Sequence, residues 1–513
     1  MTSAIGAGPL VRCPVGAFRG VSADGVDSWR GIRYALPPTG ERRWRAPVPA
    51  PAYDAEATAF GAAAPQAPSE TVRLGDGARI DEDCLFLNVW RPADRAGDAL
   101  PVMVWIHGGA YALGSGSQPL YDATRIVADQ DIVVVTINYR LGGLGFVELG
   151  TLPGQNAAFD GNLGLRDVLL ALAWVRDNVA AFGGDPARVT VAGESAGAGI
   201  VTTLLASPAA TGLFSRAIAE SSPASSVYGI DRAAEVARRF VSHLGVSPGD
   251  AGALRGVPVD TIVSATSALF GEIPAASPGT LAFSPVVDGE LVPEAPVDVL
   301  RAGRGIPVPL LIGTNRDEAS LFHFMRSPLM PVTDAEIMRM FTNLHAEQPD
   351  LALPSVDQVL TGYAGLNARR RGLAIARDIA FRLPTLWAAE GHARVADTWL
   401  YRFDIATPAL RVLGIGATHG AELPYVWGNF GPRRGNLPFR LGGRRAAELA
   451  SARIQARWGA FVRGAQPDAV GAVEWPRYAS DSRTLVIAPT DQVADDLDAA
   501  QQRAWGDATL AFR

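Results

Sequence analysis

The chain has 513 residues, enough to bury a large core, and a net charge of −6 without long single-sign runs. That balance argues against a nucleic-acid or anionic-membrane partner. All 46 basic side chains are arginine, which excludes a Walker A loop, a Schiff-base lysine and a kinase-type lysine.

Cys13 and Cys84 are too few for a disulfide framework and have no zinc-type spacing. The N-terminus carries no basic segment followed by an apolar core and cleavage site, so a soluble, cytoplasmic protein is expected. Residues 99–121 and 195–215 are uncharged and long enough to span a bilayer. Their Gly, Ser and Pro content reads instead as buried strand, loop and helix.

In chain order, roughly the first 90 residues are Pro-rich with short strand-like pieces, predicting a small antiparallel appendage. Strand-like runs follow at Met103–Ile106, Ile132–Ile137, Val189–Ala192, Ala217–Ala219 and Leu310–Ile312. Helical patterns lie between several of them, notably 163–181 and 198–206. Such alternation predicts an α/β fold with a mostly parallel sheet covered on both faces. Residues 229–300 and 325–395 have helical periodicity interrupted by prolines and read as cap or insertion segments. The chain closes with a helix near Arg444–Val462 and a strand near Thr484–Ile487. With no internal repeat and no low-complexity linker, residues 1–513 are expected to form one domain.

The run Val189-Thr190-Val191-Ala192 leads into Gly193-Glu194-Ser195-Ala196-Gly197. A β-branched strand ending in G-x-S-x-G predicts a sharp strand-to-helix turn holding a serine Oγ exposed at its tip. The flanking glycines keep side chains out of a crowded backbone, and the next residue's N–H is aimed at a developing oxyanion. The pattern recurs as Gly245-Val246-Ser247-Pro248-Gly249, but Pro248 has no N–H to donate, so Ser247 is set aside.

A serine hydroxyl needs a base within hydrogen-bond reach and an acid to orient that base. Of six histidines, His107 follows a strand in His107-Gly108-Gly109-Ala110-Tyr111, a turn suited to offering backbone N–H groups; His107 is assigned to shaping it. His243, His323, His345 and His392 lie in helical or polar stretches as surface or packing residues. His419 stands in a glycine-flanked loop well after the serine and is the candidate base. Glu318, after a buried strand, is the candidate acid, with Asp317 a rival on position alone. The order Ser…Glu…His is that of the α/β-hydrolase fold.

These residues carry a family resemblance. Gly31-Ile32-Arg33-Tyr34-Ala35, Glu82-Asp83-Cys84-Leu85-Phe86-Leu87-Asn88-Val89-Trp90, Asn138-Tyr139-Arg140, Gly161-Asn162-Leu163-Gly164-Leu165 and Phe182-Gly183-Gly184-Asp185-Pro186 stand in family order with the serine and glycine motifs. The chain resembles the type-B carboxylesterase/lipase family, the cholinesterase-like α/β-hydrolases, and most closely its bacterial p-nitrobenzyl esterase branch. The resemblance implies an α/β-hydrolase fold with a large, mostly parallel twisted sheet, a small N-terminal antiparallel sheet and helical cap insertions. It implies Ser195 as nucleophile, Glu318 as acid (over Asp317) and His419 as base, with oxyanion donors at Gly109, Ala110 and Ala196. It also implies two structural ion pairs, Arg43 with Glu82 and Arg140 with Asp167. Tyr111, Leu321 and Phe322 are expected to face the substrate.

The chain departs from the family where Ala64 stands in place of the cysteine that bridges to Cys84 in secreted relatives. Residues 67–81 contain no tryptophan, so a quaternary ammonium site is not expected. Ala319 replaces the glycine that usually follows the acid. The expected activity is hydrolysis of short-to-medium acyl or aryl carboxylic esters through an acyl-enzyme, with an amidase or peptidase using the same triad as the alternative. A non-catalytic cholinesterase-like binding module is the other class, disfavoured by the retained triad. No cofactor or metal is expected, since HExxH, a Cys/His cluster and GxGxxG are absent from the sequence. The expected partners are a small ester and water, in a monomer or weak homodimer.

Overall fold

The computed structural model describes residues 8–349, 352–431, 436–479, 481–506 and 508–510. Its centre is an 11-stranded sheet. The strands run in the spatial order Gln492–Ala494, Thr484–Ile487, Thr398–Phe403, Leu310–Asn315, Arg216–Glu220, Gly184–Glu194, Leu100–Ile106, Val133–Ile137, Phe86–Pro92, Val26–Arg33 and Val21–Ala23. From Thr484–Ile487 through Val133–Ile137 every pairing is parallel, and the outer strands are antiparallel.

The parallel strands are buried and largely apolar over their central residues because both faces are covered. Val102, Val104, Val189, Val191, Leu310 and Ile312 enter one core with the helices Leu163–Asn178 and Ala196–Leu205. Met103, Trp105, Ala192, Ile218, Leu311 and Tyr401 enter a second core with the helix Arg444–Val462. Neighbouring residues along a strand therefore point into different cores, as the period of two requires.

Each strand-like run read from the sequence lies in or largely within an observed strand, and the closing helix and strand coincide with their expected limits. The helix expected over 163–181 ends at Asn178, where a 3-10 turn over Val179–Phe182 leads into left-handed Gly183 (φ 84°). The N-terminal region is more integrated than an appendage. Among the described residues only Leu10–Cys13, Gly16–Arg19 and Ala55–Glu56 form the small sheet, antiparallel in one pairing and parallel in the other. The strands Val26–Arg33 and Phe86–Pro92 extend the main sheet instead.

Residues 229–300 and 325–395 supply most of the helices outside the strand–helix alternation, including Ile230–Leu244, Val259–Ala276 and Asp334–Glu347. Among the described residues no helix is long and apolar enough to cross a membrane.

Candidate active site

The site lies beyond the carboxyl ends of the parallel strands, where open α/β sheets place ligands. Register brings its parts together, since Gly193 lies opposite Ile106 on one side and Ala219 on the other. Strand Gly184–Glu194 stops at Ser195, which takes φ 56° and ψ −126° before the helix Ala196–Leu205 begins. A non-glycine residue in such a conformation costs on the order of 1–3 kcal/mol and persists only where its surroundings hold it. Here the Ser195 N–H donates to the Glu220 carbonyl at 2.9 Å, and the Gly199 N–H donates to the Ser195 carbonyl at 2.8 Å. A Cβ on Gly197 would sit 2.0 Å from the Ile106 carbonyl oxygen, and one on Gly193 would sit 2.6 Å from the Gly197 backbone. The two glycines let the helix start directly on the neighbouring strands.

Ser195 Oγ lies 2.8 Å from His419 Nε2, and His419 Nδ1 lies 2.7 Å from Glu318 Oε2. The second carboxylate oxygen of Glu318 accepts from the Asn315 N–H and the Ser221 hydroxyl, both at 2.6 Å. With Glu318 acting only as acceptor, Nδ1 carries the imidazole proton and Nε2 is left to accept from the serine. Asp317, the positional rival, points elsewhere: its carboxylate accepts from the Ala417 N–H at 3.0 Å.

Beneath the imidazole is a cluster of buried carboxyls. Glu194 Oε1 lies 3.3 Å from His419 Nε2. Burial pushes Glu194 up to about 7, against the pull of His419 and with the repulsion of Glu318. Burial likewise pushes Glu220 up to about 8, although it accepts from Trp458 Nε1 at 2.7 Å. Glu422, which accepts from the Asn315 amide, is raised well above the carboxylate range by burial and by its three acidic neighbours. For His419 burial favours the neutral ring, yet the carboxylates of Glu194 and Glu318 outweigh it and raise its affinity for a second proton.

Gly109 (φ 113°), Ala110 (φ 51°) and Tyr111 (φ 59°) form a left-handed turn after strand Leu100–Ile106. Among the described residues no acceptor takes the N–H of Gly109, Ala110 or Ala196, and all three residues line the same cavity as Ser195. His107 braces the turn: its ring stacks on Tyr139 with centroids 4.5 Å apart, and Nδ1 lies 2.8 Å from the Gly108 carbonyl. Tyr111 does not face the substrate as expected. The left-handed turn directs it inward, where it is fully buried against Phe146 and helix residue Gly199.

The cavity has a volume of about 450 Å³. Leu321 and Phe322 line it, joined by Met325, Met330, Phe270 and Phe381 from the helical segments. Phe381 stacks on the His419 ring with centroids 4.6 Å apart, and Phe322 lies at 5.2 Å. Glu194, Ser221 and Phe381 were missed in the sequence. Glu194 was visible as the central residue of the serine motif, whereas only Pro384 in a helical stretch hinted at an irregular turn near Phe381.

Away from the cavity, Arg43 Nε donates to Glu82 at 2.7 Å, and Arg43 also caps the Arg255 and Val257 carbonyls. Arg140 grips buried Asp167 through two bonds of 2.8 and 2.6 Å. Cys84 is buried and unpaired. Among the described residues no group of three or more His, Cys, Asp or Glu is arranged to hold a metal ion.

Residues 7–505 match the family described as the carboxylesterase family. The chain is 36% identical over 501 residues to the para-nitrobenzyl esterase of Bacillus subtilis (strain 168), covering 96% of this chain and 97% of that protein. It is 33% identical over 503 residues to the phenmedipham hydrolase of Pseudarthrobacter oxydans, covering 95% and 97%. Among solved structures, a PNB esterase superposes with a TM-score of 0.83 at 34% identity, over 97% of this chain and 99% of that one. A Geobacillus stearothermophilus carboxylesterase superposes with a TM-score of 0.81 at 34% identity, over 97% and 100%.

Proposed function

Because this chain belongs to the carboxylesterase family, has the α/β-hydrolase fold and is a serine hydrolase of carboxylic esters, we propose that Ser195, His419 and Glu318 perform the reaction. Ser195 Oγ attacks the ester carbonyl while His419 Nε2 takes its proton. Glu318 holds the imidazole through Nδ1 and stabilises its charged form. The N–H groups of Gly109, Ala110 and Ala196 receive the tetrahedral oxyanion, each contributing on the order of 3 kcal/mol to lowering the barrier. His419 then protonates the departing alcohol, and afterwards activates the water that releases the acid from Ser195. The observation that carries this reading is the unbroken relay of 2.7 and 2.8 Å contacts from Glu318 to Ser195, facing unpartnered N–H groups across one cavity.

The substrates are uncharged esters with short-to-medium acyl or aryl groups. Among the described residues the cavity walls contain no arginine, and their one carboxyl, Glu194, already faces His419, so an ionic substrate would find no free partner there. The relative named para-nitrobenzyl esterase agrees with an aryl-bearing ester. p-Nitrophenyl esters of increasing acyl length test this, with wild type beside Ser195→Ala. Turnover of short and medium chains, with a burst of p-nitrophenol that vanishes in the variant, is the expected result. Equal activity in Ser195→Ala overturns it, and faster cleavage of a matched anilide than of the ester would favour the amidase reading.

One apolar cluster runs from Val11 to Leu510 through both helical segments, which supports a single cooperative domain; a lone calorimetric transition is expected. The unpaired cysteines support a cytoplasmic location, tested by cell fractionation.

A further inference from the structure

Residues 368–392 are helical throughout, yet they do not form one regular helix. The α-helices Ala368–Arg377 and Leu383–His392 are separated by a π-helical turn over Asp378–Arg382. Pro384, just beyond it, has no N–H for the Ala380 carbonyl four residues back, so the regular ladder is already interrupted there. Such widened turns recur at functional sites.

Both ends of this one are anchored. Asp378 accepts from the Tyr363 hydroxyl and from Arg377 Nε, each at 2.6 Å. Arg382 donates to Asp498 at 2.8 Å and to Thr314 Oγ1 at 3.0 Å. Thr314 belongs to the strand that presents Glu318, so the turn is tied to the same frame as the acid.

Between these anchors the turn delivers Phe381, whose ring lies 4.6 Å from the His419 ring at an interplanar angle of 28°. The two hydrogen bonds of the imidazole hold its edges but do not prevent it rolling about the line between Glu318 and Ser195. A stacked ring does. The aromatic face also carries negative quadrupole density, and the imidazole becomes cationic only as Ser195 attacks. An interaction that strengthens as the charge develops lowers the barrier instead of merely tightening binding.

We propose that Phe381, aimed by the π-turn, is a positioning residue that stabilises the imidazolium form of His419 in the transition state. This rests on the assignment of His419 as the base. The charged groups facing His419 are Glu318 and Glu194, with Glu220 and Glu422 behind them, and none is altered by changes at position 381.

The test replaces Phe381 with 4-fluoro- and pentafluorophenylalanine, which keep its shape while draining the ring face of charge, alongside Phe381→Leu and Phe381→Tyr. Rates on p-nitrophenyl butyrate are measured across pH. The expected result is a graded loss of kcat, about tenfold for the pentafluoro ring, with KM nearly constant. The acid limb of kcat/KM should move to lower pH, Phe381→Leu should follow the pentafluoro variant, and Phe381→Tyr should retain the wild-type profile. A flat fluorinated series, or a loss equal in Leu and Tyr variants, overturns the proposal. Ser195→Ala and His419→Gln separate the two levels. If they abolish turnover while the fluorinated series stays flat, only the role of Phe381 falls; if they leave turnover intact, the base assignment falls with it.

Discussion

Two irregular stretches of backbone meet at His419, the turn at Ser195 and the π-turn over Asp378–Arg382, and they are made in different ways. The serine turn is forced locally. Gly193 and Gly197 allow a helix to begin against Ile106 where any Cβ would collide, and residues 189–194 of the strand before them are all buried. The π-turn begins from a local break at Pro384 but is held from a distance, by Tyr363, Thr314 and Asp498 bonded to its two ends. A conformation imposed by adjacent residues travels with a short motif. One imposed by remote anchors leaves almost no local trace.

Four changes break or sharpen this contrast. The largest expected effect comes from Ala196→Pro, which removes one N–H at the first helical position, where proline is otherwise tolerated. We expect kcat on p-nitrophenyl acetate to fall at least ~10²-fold with little change in melting temperature. Retained kcat would mean that Ala196 does not serve the oxyanion.

Ser221→Ala leaves Glu318 Oε1 with the Asn315 N–H alone. Loss of a hydrogen bond to a charged acid should lower kcat about tenfold with KM unchanged, read from steady-state kinetics.

A third effect is a displacement on the pH axis. His419 is raised above the usual histidine value of 6.5, and activity needs its neutral form, so kcat/KM should rise with pH through a value above 6.5. Glu194→Gln removes a carboxylate that favours the imidazolium, and the acid limb should move to lower pH. No movement would place the Glu194 charge outside the working range.

Arg43→Met, far from the cavity, should affect turnover least. It strands Glu82 in a buried position, so stability should drop by about 3–5 kcal/mol in urea while kcat per folded molecule stays unchanged. A fall in kcat at full folding would give this ion pair a part in the reaction.

The legible portion of the molecule was that in which function constrains neighbouring residues. Residues 189–197 announced strand and turn together, with Ser195 at the tip, because a buried parallel strand is largely apolar and an elbow must have glycine on both sides. His107 to Ala110 was readable for the same reason, as a loop whose use is its backbone. Glu318 and Asp317 could not be told apart by position. In the fold Glu318, the residue implied by the family resemblance, contacts His419, while Asp317 bonds the Ala417 N–H. Tyr111 was misjudged because facing the cavity depends on the sign of two backbone angles, which nearby residue types leave open.

By itself, then, the sequence determined the alternation of strands and helices, the buried sheet and the sharp turn that carries Ser195, since hydrophobic period and glycine sterics act within a few residues. Only the tertiary structure decided which carboxyls gather beneath His419, which aromatic ring lies on its face and how large a cavity results. Those depend on register between strands and on anchors 60 to 120 residues apart, and contacts at that separation are set by the packing of the whole chain.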